Sequence, residues 1–292
     1  MINALIEIGL EEVPARFIDN CLRDLKNLIK KEMTDHRLIT EETEIITLGT
    51  FRRFTFIVNN IKHKQDDLNE LVFGPPVSIA KIDGDLTKAG IGFAKKFNVS
   101  ENDLSISKND KGQEVIAFKQ NEKGQLSQNL LPVIIQSAIK NMKLPIAMKW
   151  GSGLGPFIRP IQWLCCLTDQ GVIDVEIFGI KSSNKSYGHR FLSNQNTDSF
   201  LGSSFVVKSP NTYVDQLRDH FVIVSVDERK EIIKNELLEF LSEDDIDGAL
   251  LNEVTHLVES PTALKISFPE DFLSLPEEVL IQCLKKHQKA FL

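Results

Sequence analysis

Six side chains of this sequence have the chemistry to hold an anion: Arg52 and Arg53, Lys149, Arg159, and His189 with Arg190. A guanidinium grips a phosphate or carboxylate bidentately, and an imidazole beside it adds one more polar contact. Arg159 is fixed beside Pro160, and His189 and Arg190 follow Gly188, which lets the backbone turn. Together they offer an anion or RNA contact surface. Plainer readings stand beside these: Arg52 and Arg53 as a solvated pair at a strand mouth, His189 as a packed ring, and Arg190 as the partner of one of the 41 acidic residues. Glu11 and Glu12 before Pro14 have the types for paired catalytic carboxylates, yet acids at a helix start are what the macrodipole favours. Asp227 and Glu228 read the same way, as do Lys285, Lys286, His287 and Lys289 in a basic last turn.

Nucleotide and hydrolase signatures are absent from the sequence. It contains no GxxxxGK[ST] run, no GxGxxG between strand and helix, no HExxH and no GxSxG. Gly151, Gly153 and Gly155 alternate and lead into Pro156, which withdraws a backbone donor from any phosphate nest. The four cysteines, Cys21, Cys165, Cys166 and Cys283, have neither zinc spacing nor the density of a disulfide framework, and read as reduced core thiols. A net charge of −7 and a pI near 5.5 exclude a wide basic face, so any RNA contact must be local. The first residues lack the basic and long apolar regions of a signal peptide, and no run approaches the roughly 18 apolar residues of a membrane span, so the expected location is cytoplasmic.

The elements that must position these residues follow from periodicity. Ala4 to Gly9 reads as a first strand, and Pro14 opens a helix with Phe17, Ile18, Cys21, Leu22, Leu25, Leu28 and Ile29 at 3.6-residue spacing. The other face of that helix is charged. Ile45–Leu48 and Phe54–Val58 read as strands around a turn at Gly49, and Gly74-Pro75-Pro76 as a rigid break. Asp83-Gly84 has turn composition, Thr87 caps a helix through Phe97 with Ile91, Phe93 and Ala94 inward, and Gln128 to Met142 is amphipathic. The stretch from Trp150 to Trp163 carries too many glycines and prolines for a helix or central strand, and forms a shaped loop pinned by a tryptophan at each end. Ile161–Leu167 and Val172–Phe178 read as strands, Phe221–Val224 as an apolar β-rich run, and Asp227 as the cap of a long helix. The mixture lacks a regular βαβ cadence, which points to an α+β fold of mixed sheets with flanking helices, in two subdomains over 1–145 and 146–292.

Read together, these pieces resemble the beta subunit of the bacterial heterotetrameric glycyl-tRNA synthetase. The resemblance is carried by Glu7-Ile8-Gly9 with Glu11-Glu12-Val13-Pro14, Arg52-Arg53, Gly74-Pro75-Pro76, and Thr87-Lys88-Ala89 with Gly92-Phe93-Ala94. It continues through Asp110-Lys111-Gly112, Leu144-Pro145-Ile146, Met148-Lys149-Trp150-Gly151, Phe157-Ile158-Arg159-Pro160, Gly188-His189-Arg190-Phe191 and His287-Gln288-Lys289. Leu10, Phe51 and Ala290 depart from the family pattern.

The resemblance implies the amino-terminal part of a longer subunit, without the family's HD-type and anticodon-binding domains. It also implies a partner alpha subunit that holds glycine, ATP and Mg2+, an alpha2beta2 tetramer, and tRNA(Gly) as the RNA. No cofactor is expected in this chain. Part of the family's beta subunit is similar to the B3/B4 region of the phenylalanyl-tRNA synthetase beta chain. On this basis Arg52, Arg53, Lys149, Arg159, His189 and Arg190 are the expected tRNA or partner contacts. The alternatives are an editing-type hydrolase of mischarged tRNA and a structural docking module without RNA contact.

Overall fold

The computed structural model describes residues 1–82, 84–151, 154–193 and 200–292. Asp83 of the expected turn and Gly153 of the alternating glycines lie outside the described residues. In chain order the elements begin with strand β1 (Ile2–Leu10), helix α1 (Ala15–Asp35), and strands β2 (Glu44–Thr50) and β3 (Arg53–Ile61). Next come β4 (Leu68–Pro76), α2 (Val77–Ala80), the short strands β5 (Lys81–Ile82) and β6 (Asp85–Leu86), α3 (Lys88–Phe97), β7 (Ser105–Lys108) and β8 (Glu114–Glu122). After α4 (Ser127–Lys140) follow β9 (Met148–Trp150), β10 (Leu154–Phe157), β11 (Ile161–Thr168), β12 (Gly171–Val172), β13 (Glu176–Ile177), β14 (Ile180–Ser183), β15 (Lys185–Tyr187) and β16 (Ser204–Val206). Helices α5 (Tyr213–Asp219), α6 (Val226–Leu237), α7 (Gly248–Thr255) and α8 (Glu277–Gln282) close the order. None of the described helices is long and apolar enough to cross a membrane.

The chain forms two compact units, one of residues 1–63 with 127–292 and one of residues 64–126. The division expected at 145/146 falls inside the first unit. Its physical reason is the main sheet, ordered β13-β14-β11-β1-β3-β2, in which β1 lies between β3 and β11 and pairs antiparallel with both. Hydrogen bonding between residues 4–10 and 161–168 ties the first strand to the middle of the chain across the proposed boundary.

Within the first unit β1 is apolar on both faces because both are covered. Ile6 and Ile8 point into a core with Ile18, Leu22, Leu25 and Ile29 of α1 and the inner side of α4. Leu5, one residue out of phase, joins Trp163, Tyr213, Leu217 and Val222 on the opposite face. By the same alternation Glu7 falls on this second face, between Thr55 and Cys165 in register. The helix periodicity holds, with Ile18, Cys21, Leu22, Leu25, Ile29 and Met33 buried. Cys21, Cys165 and Cys166 are buried free thiols, whereas Cys283 is exposed. Burial pushes Cys166 up to about 12, which keeps it protonated and inert.

Several local expectations shift. Gly49 does not turn the chain; it sits within β2 opposite Phe54, and the turn falls on Phe51 and Arg52. A Cβ on Gly49 would stand 3.0 Å from Leu22 Cδ1, so the glycine is there to let α1 close on the sheet. The cap of α6 is Ser225, whose side chain accepts from Glu228 N–H, and Asp227 lies in the first turn. The run Phe221–Val224 is not a strand: Phe221 has φ 62° and only Val224 reaches β2, through Gly49 N–H. Val172–Phe178 is broken into β12 and β13.

In the second unit β4, β8 and β7 form an antiparallel sheet. Gly74-Pro75-Pro76 runs on as the end of β4 rather than breaking the chain. Thr87 caps α3 as expected, accepting from Ala89 and Gly90 N–H. Phe93 packs edge-on to Phe118 and Phe97 packs against it at a tilt, while Ile91 faces solvent.

Candidate functional site

The β2–β3 turn delivers two adjacent guanidinium groups into the interior. Arg53, first residue of β3, donates from Nε to Glu259 Oε1 at 3.1 Å and from Nη1 to Glu7 Oε1 at 3.1 Å and the Tyr187 carbonyl at 2.8 Å. Arg52 donates from Nη1 to Glu259 Oε2 at 3.4 Å and from Nη2 to the Leu201 carbonyl at 3.0 Å. Thr50 Oγ1 donates to Glu259 at 2.6 Å and Ser186 Oγ to Glu7 at 2.9 Å. Both guanidinium carbons lie over the Trp163 ring, at 5.9 and 5.4 Å. From α6, Arg229 reaches the Gly49, Thr255 and Ile223 carbonyls, fastening residues 223–255 to the end of β2.

Two carboxylates thus face two guanidinium groups with at most 1 % exposure on any of the four side chains. Burial alone pulls Arg53 down, but Glu259 and Glu7 outweigh it and hold the group above its ordinary value. Glu259 shows the complement: burial raises it, and the Arg53 and Arg52 charges bring it below the usual carboxylate range. For Glu7 burial dominates and the carboxyl is raised, with Arg53 as the main offset. Arg229, buried against carbonyls, is pushed down to about 10 by burial.

Arg52 and Arg53, expected as phosphate or RNA contacts, are therefore interior residues. Their hydrogen bonds go to Glu259, Glu7 and backbone carbonyls, and neither guanidinium presents itself to a ligand at the surface. Glu7 enters the sequence reading only as part of the motif that carries the resemblance, and Glu259 does not enter it. Glu7 was legible as the one acid in an apolar strand, whereas Glu259 meets Arg53 across 206 residues of chain and carries no local signal.

Two of the other expected residues meet at Glu11 and Glu12. Arg190 bridges Glu12 Oε1 at 2.9 Å and Glu11 Oε2 at 3.2 Å, and Gln162 Nε2 donates to Glu11 Oε1 at 3.1 Å. Arg159 Nε donates to the Glu12 carbonyl at 2.9 Å. Glu11 and Glu12 are thereby occupied as ion-pair partners, not paired as an acid and a base. Lys149 is exposed on β9. Near Arg159, Trp150, Leu154, Phe157, Phe178 and Ile180 line a cavity of about 200 Å3, and Trp150 Nε1 donates to the Phe157 carbonyl at 3.0 Å. Among the described residues no group of three His, Cys, Asp or Glu side chains is placed to hold a metal ion.

His189 Nδ1 accepts from the N–H groups of Phe191 and Leu192, both at 3.2 Å, so the neutral ring carries its proton on Nε2. Burial lowers its pKa; Glu259 opposes this, and Arg52 and Arg53 reinforce it. A base whose folded pKa is depressed contributes stability above its unfolded value near 6.5, and that contribution is lost as pH falls through the lower folded value. His256 is lowered in the same sense, again mainly by burial. Unfolding free energy is therefore expected to decline as pH is lowered from 6.5, with a shallower slope in His189→Gln. A wild-type slope that is flat or of opposite sign would contradict this.

A family model described as "Glycyl-tRNA synthetase beta subunit" matches residues 4–292. The glycine–tRNA ligase beta subunit of Listeria monocytogenes is 38% identical over 292 residues, covering 98% of this chain and 41% of that protein. The same subunit of Bacillus subtilis is 37% identical with the same coverage, and that of Clostridioides difficile 35%. The chain thus spans about two fifths of the length of these curated relatives, at 41% of each. With the match running almost from end to end of the sequence, this chain belongs to the glycyl-tRNA synthetase beta subunit family.

Proposed function

We propose that the chain acts as the tRNA-binding and assembly portion of a glycine–tRNA ligase. Its partner is an alpha subunit that holds glycine, ATP and Mg2+, the assembly is an alpha2beta2 tetramer in the cytoplasm, and the RNA is tRNA(Gly). The observation that carries this reading is the family match over residues 4–292. The division of labour is supported by what the polar side chains do: Glu7, Arg52, Arg53 and Glu259 neutralise one another inside the first unit rather than opening onto a substrate. That arrangement also favours binding over an editing-type hydrolysis, which needs polar groups converging on an accessible ester. The similarity to the B3/B4 region of the phenylalanyl-tRNA synthetase beta chain remains part of this reading as a fold expectation.

The test is a gel shift with tRNA(Gly) run beside co-purification with the alpha subunit. Both are expected to succeed, with the RNA complex weak and loosening as salt rises, because an overall charge of −7 leaves only local phosphate contacts. Co-purification without any RNA shift would favour a docking module; failure of both would overturn the proposal.

A further inference from the structure

The outer face of α1 is a feature that the core does not explain. Its inner side is spent on packing, but Arg16, Asn20, Arg23, Asn27 and Lys30 are all exposed. Their spacing of four, three, four and three places them within roughly 40° of one line along the helix, over about 21 Å. Arg16, Arg23 and Lys30 repeat every seventh residue, and the two asparagines interleave with them. Acids lie only on the flanks and are engaged there: Asp19 with His256 Nε2 at 3.0 Å, Asp24 with Lys143 N–H at 2.9 Å. Among the described residues no carboxylate pairs with Arg16, Arg23 or Lys30.

Helix stability does not account for this pattern. The first turn of α1 has no acid and the last turn no base, although the macrodipole favours both. Arg16 stands at the positive end, where a cation is unfavourable. A purely solvated face in a chain with 41 acids and 34 bases would mix signs and use i,i+4 pairs, as Lys31 and Asp35 do just beyond the strip. A membrane-surface helix would set aromatic and aliphatic side chains against the lipid, and here the apolar side is buried in the protein. What fits is a polyanion whose charges line up along one direction.

Resting on the family reading above, we infer that the outer face of α1 is an RNA-backbone contact. Arg16, Arg23 and Lys30, about 10.5 Å apart along the helix, meet separate phosphates of the backbone, and Asn20 and Asn27 bond phosphate or 2′-hydroxyl oxygens between them. Such a contact tracks backbone and shape rather than base sequence.

The experiment compares tRNA(Gly) binding by the whole chain, by R16A/R23A/K30A, and by R218A/K234A/K285A, across a salt series. The control triple removes the same charge from cations that are paired with Glu228, Glu243 and Asp247. Alanine at exposed helical positions keeps the fold, which circular dichroism verifies. The α1 triple is expected to weaken binding by about tenfold or more and to make the log–log salt dependence shallower by about 2 to 3, while the control stays near wild type. Unchanged affinity and slope in the α1 triple, with wild-type binding intact, would overturn this inference and leave the proposed function standing. Equal losses in both triples would also overturn it, since net charge would then be the cause. No tRNA binding by the wild-type chain would overturn both.

Discussion

Replacing Glu259 with alanine is expected to destabilise the first unit by about 3–5 kcal/mol, measured by urea unfolding. The carboxylate is the shared acceptor for Arg53 Nε, Arg52 Nη1 and Thr50 Oγ1, and it is 1 % exposed. Truncation leaves two guanidinium groups in the interior with Glu7, among the described residues, as the remaining buried carboxylate facing Arg53, and the penalty is that of an uncompensated buried charge. Glu259→Gln is expected to fall between wild type and alanine, because the amide oxygen still accepts while the charge is gone. The acid limb should show the same dependence. Glu259 is held below its ordinary pKa, so its contribution is complete above about 4.5 and is lost as pH falls through the folded value. A loss under about 0.5 kcal/mol for the alanine variant would mean that residue 259 is not docked against the sheet.

The second large effect is expected at Gly9. A Cβ there would stand 1.9 to 2.3 Å from atoms of the Trp163 ring, which is nearly fully buried and cannot back away. Overpacking of this kind typically costs about 1–3 kcal/mol, and Gly9→Ala should reach or exceed the upper end. The ring is also the platform for both guanidinium carbons, so its displacement disturbs the ion cluster as well. The double variant Gly9→Ala/Trp163→Leu should be less destabilised than the sum of the single changes, because leucine removes the ring that the new Cβ strikes and the new methyl partly fills the space the ring leaves. Strict additivity in the unfolding free energies would refute the contact.

These two sites show which parts of the molecule the sequence discloses. Elements with a local signal were legible: α1 from its 3.6-residue spacing, the α3 cap at Thr87, and β1 and β11 from their apolar runs. Gly49 stands out in the sequence, but a glycine that turns a chain and one that admits Leu22 look alike there. The α+β class follows from composition of the elements, whereas the discontinuous first unit does not, because β1 pairs with residues 161–168. Arg52 and Arg53 are the same case in electrostatics. Their partners Glu259 and Glu7 lie far along the chain, and without them an arginine pair reads as surface. The outer face of α1 is visible as a charged face, but its freedom from acids over about four turns acquires meaning only once exposure is known.

The most direct test of the central claim is a charging assay: purified chain, tRNA(Gly), radiolabelled glycine and ATP, with and without the alpha subunit. The expected result is no glycyl-tRNA from the chain alone, although it binds the RNA, and charging once the alpha subunit is added. Glycyl-tRNA formed by the chain alone would contradict the claim that these residues supply grip and architecture while the amino acid is activated elsewhere.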